Sequence, residues 1–147
     1  MTNNDLSITF SVEQTPDQVF AAINNVRGWW SEGLEGNSAK LGDEFRYRHG
    51  ELHDSRQRVV EAVPGKKVVW LVTDGYLSFI DHKSEWKGTQ MTFEIIGKPG
   101  ETELRFTHLG VTPASECYEK CTKGWGFFIG KSLRSLIATG VGQPDRA

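Results

Sequence analysis

Cysteine is scarce in this sequence, and long apolar runs and blocks of like charge are missing altogether. There are two cysteines in 147 residues, Cys117 and Cys121, and both fall in one stretch of helical periodicity. They cannot close a long loop, which excludes a disulfide framework and points to reduced thiols. No run approaches the ~18 apolar residues that span a bilayer, so no membrane insertion is expected. Residues 1–30 lack a basic leader, an unbroken apolar stretch and a small-residue cleavage site, so a cytoplasmic protein is expected. Seventeen Lys and Arg oppose nineteen Asp and Glu, with the signs interspersed. No basic field is available to follow a phosphate backbone, so no nucleic-acid partner is expected. CxxC, HExxH, GxGxxG and GxxxxGK[ST] are all missing, and neither a metal, a cofactor nor a phosphate cradle is expected.

What the chain does have is aromatic surface: 11% of its residues, with five tryptophans. Surface of that kind needs a large core or a ligand site in which to be buried. The length suits one domain, expected over 1–147 with an ordered core of about 5–140.

Leu6, Ile8, Phe10 and Val12 alternate with polar residues, which predicts a strand. Thr15-Pro16-Asp17-Gln18 predicts a capped helix with Val19, Phe20, Ile23 and Val26 buried, broken at Gly28 before Trp29-Trp30. Ser31–Leu41 is expected to be a loop. Phe45, Tyr47 and His49 alternate with Glu44, Arg46 and Arg48, which predicts the next strand, and Gly50–Ser55 a turn. Gln57–Val63 and Lys67–Thr73 form a hairpin through Pro64-Gly65. Asp74–Gly88 is compatible with strand or covering loop. Thr89–Ile96 and Glu101–His108 pair through Gly97-Lys98-Pro99-Gly100. Thr112-Pro113 repeats the cap-then-proline signal, and one long helix is predicted from there to Gly140, with Cys117, Cys121, Trp125, Phe128, Leu133, Leu136 and Ile137 on its apolar stripe. The tail from Val141 is expected to fray. One short and one long helix are too few for repeated crossovers. The fold class is therefore α+β: a curved antiparallel sheet wrapped around a long C-terminal helix.

Several of these segments resemble a known family in their order along the chain. Thr15-Pro16, Val19-Phe20-Ala21 and Trp29-Trp30 carry the likeness first. Arg58-Val59-Val60-Glu61-Ala62-Val63-Pro64 with Val68-Val69-Trp70 continue it, followed by Thr102–Gly110, Gly124-Trp125 and Leu133. They resemble the START-related, pollen-allergen-like superfamily (SRPBCC). Within it they resemble the subfamily named after the C-terminal domain of the activator of the heat-shock chaperone ATPase. The resemblance implies the helix-grip fold, with two short helices after the first strand. It also implies a cavity that in relatives holds lipids, sterols, polyketides or plant hormones, and occasionally supports cyclase or dehydratase chemistry.

Phe45, Tyr47, Trp70, Met91, Phe93, Leu104 and Phe106 are the candidates to line the concave face of the sheet, or else to fill it as core. Cys121, Trp125 and Phe128 face them from the helix. His49 and His108 share the apolar side of their strands. With Tyr47 they are the candidates for a ligand handle or a general acid or base, against the alternative of ordinary structural histidines. Cys117 and Cys121, which with a histidine could coordinate a soft metal, read more simply as small buried hydrophobes. Trp29 and Trp30 could plug the cavity mouth, or one of them could meet a protein partner. Three functions remain: a binder of a small hydrophobic or amphipathic molecule, an enzyme acting on an aromatic or polyketide-like substrate, and a chaperone-associated interaction module.

Overall fold

The computed structural model describes residues 5–145. A seven-stranded sheet is joined throughout by antiparallel pairing in the order β1-β7-β6-β5-β4-β3-β2. Its strands are β1 (Leu6–Val12), β2 (Glu35–Gly36), β3 (Glu44–His49), β4 (His53–Val63), β5 (Lys67–Leu77), β6 (Gln90–Lys98) and β7 (Glu101–Leu109). From β2 to β7 the chain meanders, and β1 closes the order by pairing with β7. The fold is α+β, the curved antiparallel sheet around a long C-terminal helix that the order of elements predicts and the helix grip that the resemblance implies.

Helix α1 (Pro16–Asn24) starts where the sequence places it. Thr15 Oγ1 accepts from Gln18 N and the Gln18 side chain accepts from Thr15 N, a complete capping box with proline at the first helical position. A 3-10 turn (Val26–Gly28) then delivers Trp29 and Trp30 into the core.

The long helix departs from expectation in two ways. Thr112-Pro113 opens a turn rather than the helix: Thr112 Oγ1 accepts from Ala114 N, Ser115 Oγ accepts from Thr112 N, and α2 (Tyr118–Phe127) begins later. The two amides just ahead of it, Glu116 N and Cys117 N, are taken by the Glu85 carboxylate at 2.9 and 3.0 Å. The helix also passes through a π-helical segment (Phe128–Leu133) before α3 (Arg134–Thr139). Its buried row is Cys117, Cys121, Trp125, Ile129, Leu133 and Ile137, a strict step of four. In a regular α-helix that step drifts by about 40° each time. The wider π turn offsets the drift and keeps the row on the sheet.

Smaller corrections follow the same logic. The loop Ser31–Leu41 contains the two-residue strand β2, and strand β4 begins at His53, inside the segment expected to turn. Strand β5 carries a bulge opposite Arg56/Gln57. Inward residues change parity there, from Val68, Trp70 and Val72 to Gly75 and Leu77. The bulge accentuates the bend of the sheet around the helix. Tail residues 141–145 are docked rather than frayed, and Arg146 and Ala147 lie outside the described residues. Gln143 N donates to Ser132 Oγ, Asp145 N to Trp30 O and Glu32 N to Asp145 O. Gly142 makes this approach possible, since a Cβ there would lie 2.2 Å from Gly28 O.

Gly126 and Gly130 serve no packing need: a Cβ at either would meet nothing within 4 Å. Gly126→Ala is therefore expected to raise stability by about 1 kcal/mol and the melting temperature by about 3 °C, read by calorimetry.

Candidate functional site: an aromatic cleft under a pinned loop

The concave face of the sheet is mostly filled. Trp29, Trp30 and Trp70 form a near-parallel set with centroids 6.1–6.2 Å apart, and Phe45 and Phe93 each meet Trp70 edge-on at 4.8 Å. Phe45, Trp70, Met91, Phe93, Leu104 and Phe106 are all core, and none borders the cleft described below. Trp29 and Trp30 are buried at 0% and 2% exposure, so neither offers the exposed surface that a protein partner near them would need.

The space left over lies at one end of the helix. A cleft of ≈ 90 Å³ is walled by Trp30, by Tyr47 of β3, His53 of β4 and Leu77 of β5, and by Lys120, Cys121, Gly124, Trp125 and Phe128 of the helix. Phe79 and Trp86 cover it from the loop 78–88. Two carboxylates pin that loop to the start of α2. Glu85 reaches from the loop to the helix amides, and Glu116 accepts from Asp81 N and His82 N in the loop. The rings of Trp86 and Trp125 lie parallel, 5.9 Å apart.

Polar groups in the cleft are few. His53, on the inner face of β4, is bonded through Nε2 to Ser55 Oγ at 2.8 Å, and Gln57 Nε2 donates to the same oxygen at 2.7 Å. Burial pushes the His53 imidazole down to about 3; nearby Asp54 opposes the shift and His49 reinforces it. Tyr47 stacks on Trp30 at 4.4 Å and donates to Asp145 Oδ2 at 3.1 Å. Burial first, then the Asp145 charge, push the Tyr47 hydroxyl up. Cys121 Sγ accepts from Trp86 Nε1 at 3.3 Å. A bond from the Cys117 thiol and, after it, the one from Trp86 push the Cys121 thiol down against its burial, whereas donation to Cys121 and burial hold Cys117 up. Lys120 sits on the rim with Nζ 4.8 Å from the centre of the Phe79 ring.

Tyr47, Cys121, Trp125 and Phe128 are thus the predicted site residues that the fold brings together. His49 is exposed and pairs with Asp145 Oδ2 at 2.5 Å, outside the cleft. It lines an open groove that shares Tyr47 and Phe128 with the cleft. His108 is fully buried and has both nitrogens engaged. Trp125 Nε1 donates to Nδ1 at 3.1 Å, which places the proton on Nε2, facing Thr89 Oγ1 at 2.8 Å. Burial pushes it down to about 3, so it is a structural histidine and not an available acid or base. His53 was the functional candidate missed by the sequence. Its alternation with Ser55 and Gln57 was the available signal. Among the described residues no set of three or more His, Cys, Asp or Glu is arranged to hold a metal. No helix among them is long and apolar enough to cross a membrane.

The family model described as "Activator of Hsp90 ATPase homolog 1-like protein" matches residues 13–138. The chain belongs to this family. The match covers α1, the whole sheet except β1 and most of the long helix, so every cleft residue lies inside the Hsp90-activator-like region. Solved structures share the fold at low identity. A dimeric Aha1 from Colwellia psychrerythraea superposes with a TM-score of 0.74 at 20% identity, covering 94% of this chain and 98% of that one. DynU16, a putative protein of the dynemicin biosynthetic locus, gives 0.70 at 17%, covering 96% of this chain and 49% of that one. A protein from Mesorhizobium loti gives 0.68 at 18%, covering 89% and 96%. No curated protein matches the chain. Similarity at these identities shows the fold alone, and one fold hosts many functions.

Proposed function

We propose that the chain binds one small, planar, apolar or amphipathic molecule in the cleft between Trp30, Trp86 and Trp125. The observation that carries this reading is an aromatic-walled concavity with few polar groups, the usual make-up of a small-molecule site. Membership of a family built on a cavity-forming fold supports it. A cleft of ≈ 90 Å³ is small beside the ~300–1,000 Å³ of most ligand pockets. An apolar cavity of ~150 Å³ takes up benzene. The occupant is therefore about one ring in size, and anything larger has to displace Phe79 or Phe128 at the rim.

The enzyme alternative has weaker support. Of the three candidates for acid or base work, His49 lies outside the cleft, His108 has both nitrogens occupied, and Tyr47 donates to Asp145. The chaperone-associated alternative rests on the family's name, without an exposed patch at Trp29 and Trp30.

Three of the five tryptophans border the cleft, so occupancy has a direct optical readout. Titration with benzene derivatives is expected to change tryptophan fluorescence saturably with one-to-one stoichiometry, checked by calorimetry. A linear, non-saturating response up to the probes' solubility would overturn the binding function.

A further inference from the structure

The polar chain His53–Ser55–Gln57 sets the tautomer of the one histidine that lines the cleft. Ser55 is buried at 1% exposure, and its hydroxyl has one proton to give and two lone pairs to fill. Gln57 Nε2 fills one lone pair, and His53 Nε2 is the other partner at 2.8 Å. If His53 Nε2 carried the proton, the Ser55 hydroxyl would be left buried with no acceptor among the described residues. The costly orphan is avoided when Ser55 donates to Nε2, which puts the imidazole proton on Nδ1. The reverse orientation of the Gln57 amide would place an NH2 where the buried Oε1 now lies with no partner, orphaning donors instead of one acceptor. Gln57 therefore donates to Ser55 and Ser55 donates to His53. The Nδ1–H is left with no protein partner among the described residues, on a ring that forms part of the cleft wall.

Tyr47 and Trp86 clamp that ring edge-to-face, at 4.8 and 4.6 Å, so its orientation is set from both sides. Burial keeps it neutral above about pH 3, so it presents an uncharged N–H across the physiological range.

We infer that His53 Nδ1–H is the recognition donor of the cleft, and that the bound molecule is a single aromatic ring bearing a neutral hydrogen-bond acceptor, such as a carbonyl oxygen or a ring nitrogen. This inference rests on the binding function proposed above and goes beyond it by naming the ligand's chemistry. An unpaired donor in an apolar cleft disfavours a ligand that leaves it unpaired. Selectivity should therefore favour acceptor-bearing rings over bare ones of the same shape.

Benzene and pyridine make the test, since they match in shape and differ in one acceptor atom. At pH 8, where pyridine is neutral, the wild-type protein is expected to bind pyridine 3- to 10-fold more tightly than benzene, measured by calorimetry or tryptophan fluorescence. His53→Phe keeps a ring in place and removes the donor, so the pyridine nitrogen would be buried without a partner and benzene should become the tighter ligand. A second measurement needs no variant: long-range proton–nitrogen NMR of the unliganded protein should show His53 as the Nδ1–H tautomer. Equal affinities in the wild type, a preference that survives in His53→Phe, or an Nε2–H tautomer would each overturn the inference. The first two of these outcomes would leave the binding function standing. Failure of both probes to bind would overturn the two together.

Discussion

Acidification from pH 7.5 to 4.5 is expected to remove about 5 kcal/mol of folding stability, because two histidines are buried as neutral bases. His53 and His108 are both pushed down to about 3, in each case chiefly by burial. In the unfolded chain each titrates near ~6.5. Above that pH both states hold the imidazole neutral and the full stability is present. Between ~6.5 and ~3 the unfolded state binds a proton that the folded state refuses, so stability falls as pH falls. At pH 4.5 the difference is about 2.7 kcal/mol for each histidine. Small domains hold only ~5–15 kcal/mol in total, so acid unfolding should begin well before the carboxylates titrate. Urea denaturation across this range should show a limiting slope of about 2.7 kcal/mol per pH unit between pH 6 and 4.5, corresponding to two protons. His53→Phe should halve it. Stability that stayed flat down to pH 5 would mean that both imidazoles accept protons in the folded state, contrary to their burial.

Which of these features could be read from the sequence depended on how local their causes are. Strands β3 to β7 were legible because one covered face imposes an alternation on each, and short turns join all of them except β5 and β6, which the longer loop after β5 separates. The capping box of α1 was legible because Thr15 and Gln18 are three residues apart. The start of the long helix was not. Thr112-Pro113 carries the same local signal, but the amides of Glu116 and Cys117 are satisfied by Glu85, more than thirty residues upstream. Docking of the tail depends on backbone contact between Gly142 and Gly28, which no periodicity encodes. The aromatic residues expected on the concave face are buried, but whether such residues line a space or fill it is a matter of summed volume in three dimensions. Three tryptophans delivered by the 3-10 turn after α1 and by β5 occupy most of it. His53 was missed because Gly50–Ser55 has the composition of a turn, whereas β4 already begins at residue 53.

Trp30 separates a filled core from a usable cavity, and its removal should show how the two are coupled. It is buried at 2% exposure, stacks on Tyr47 at 4.4 Å, lies near Trp125 at 5.0 Å, and belongs both to the tryptophan set in the core and to the cleft wall. Trp30→Ala is expected to cost about 3–5 kcal/mol, the range for deleting a buried aromatic side chain. The void it leaves is continuous with the cleft, so the variant should accept two-ring apolar molecules that the wild type excludes. Naphthalene should then restore part of the loss, up to about 2.7 kcal/mol at a hundredfold excess over its dissociation constant. Trp29 is the matching control, because it is as deeply buried and stacks on the same Trp70 but does not border the cleft. Trp29→Ala should lose comparable stability and gain no affinity for naphthalene, its void being closed off from the ligand. Urea denaturation of both variants with and without naphthalene checks this. Rescue of both alike would mean that the cleft and the core form one continuous space, and that aromatic packing alone limits the size of the ligand.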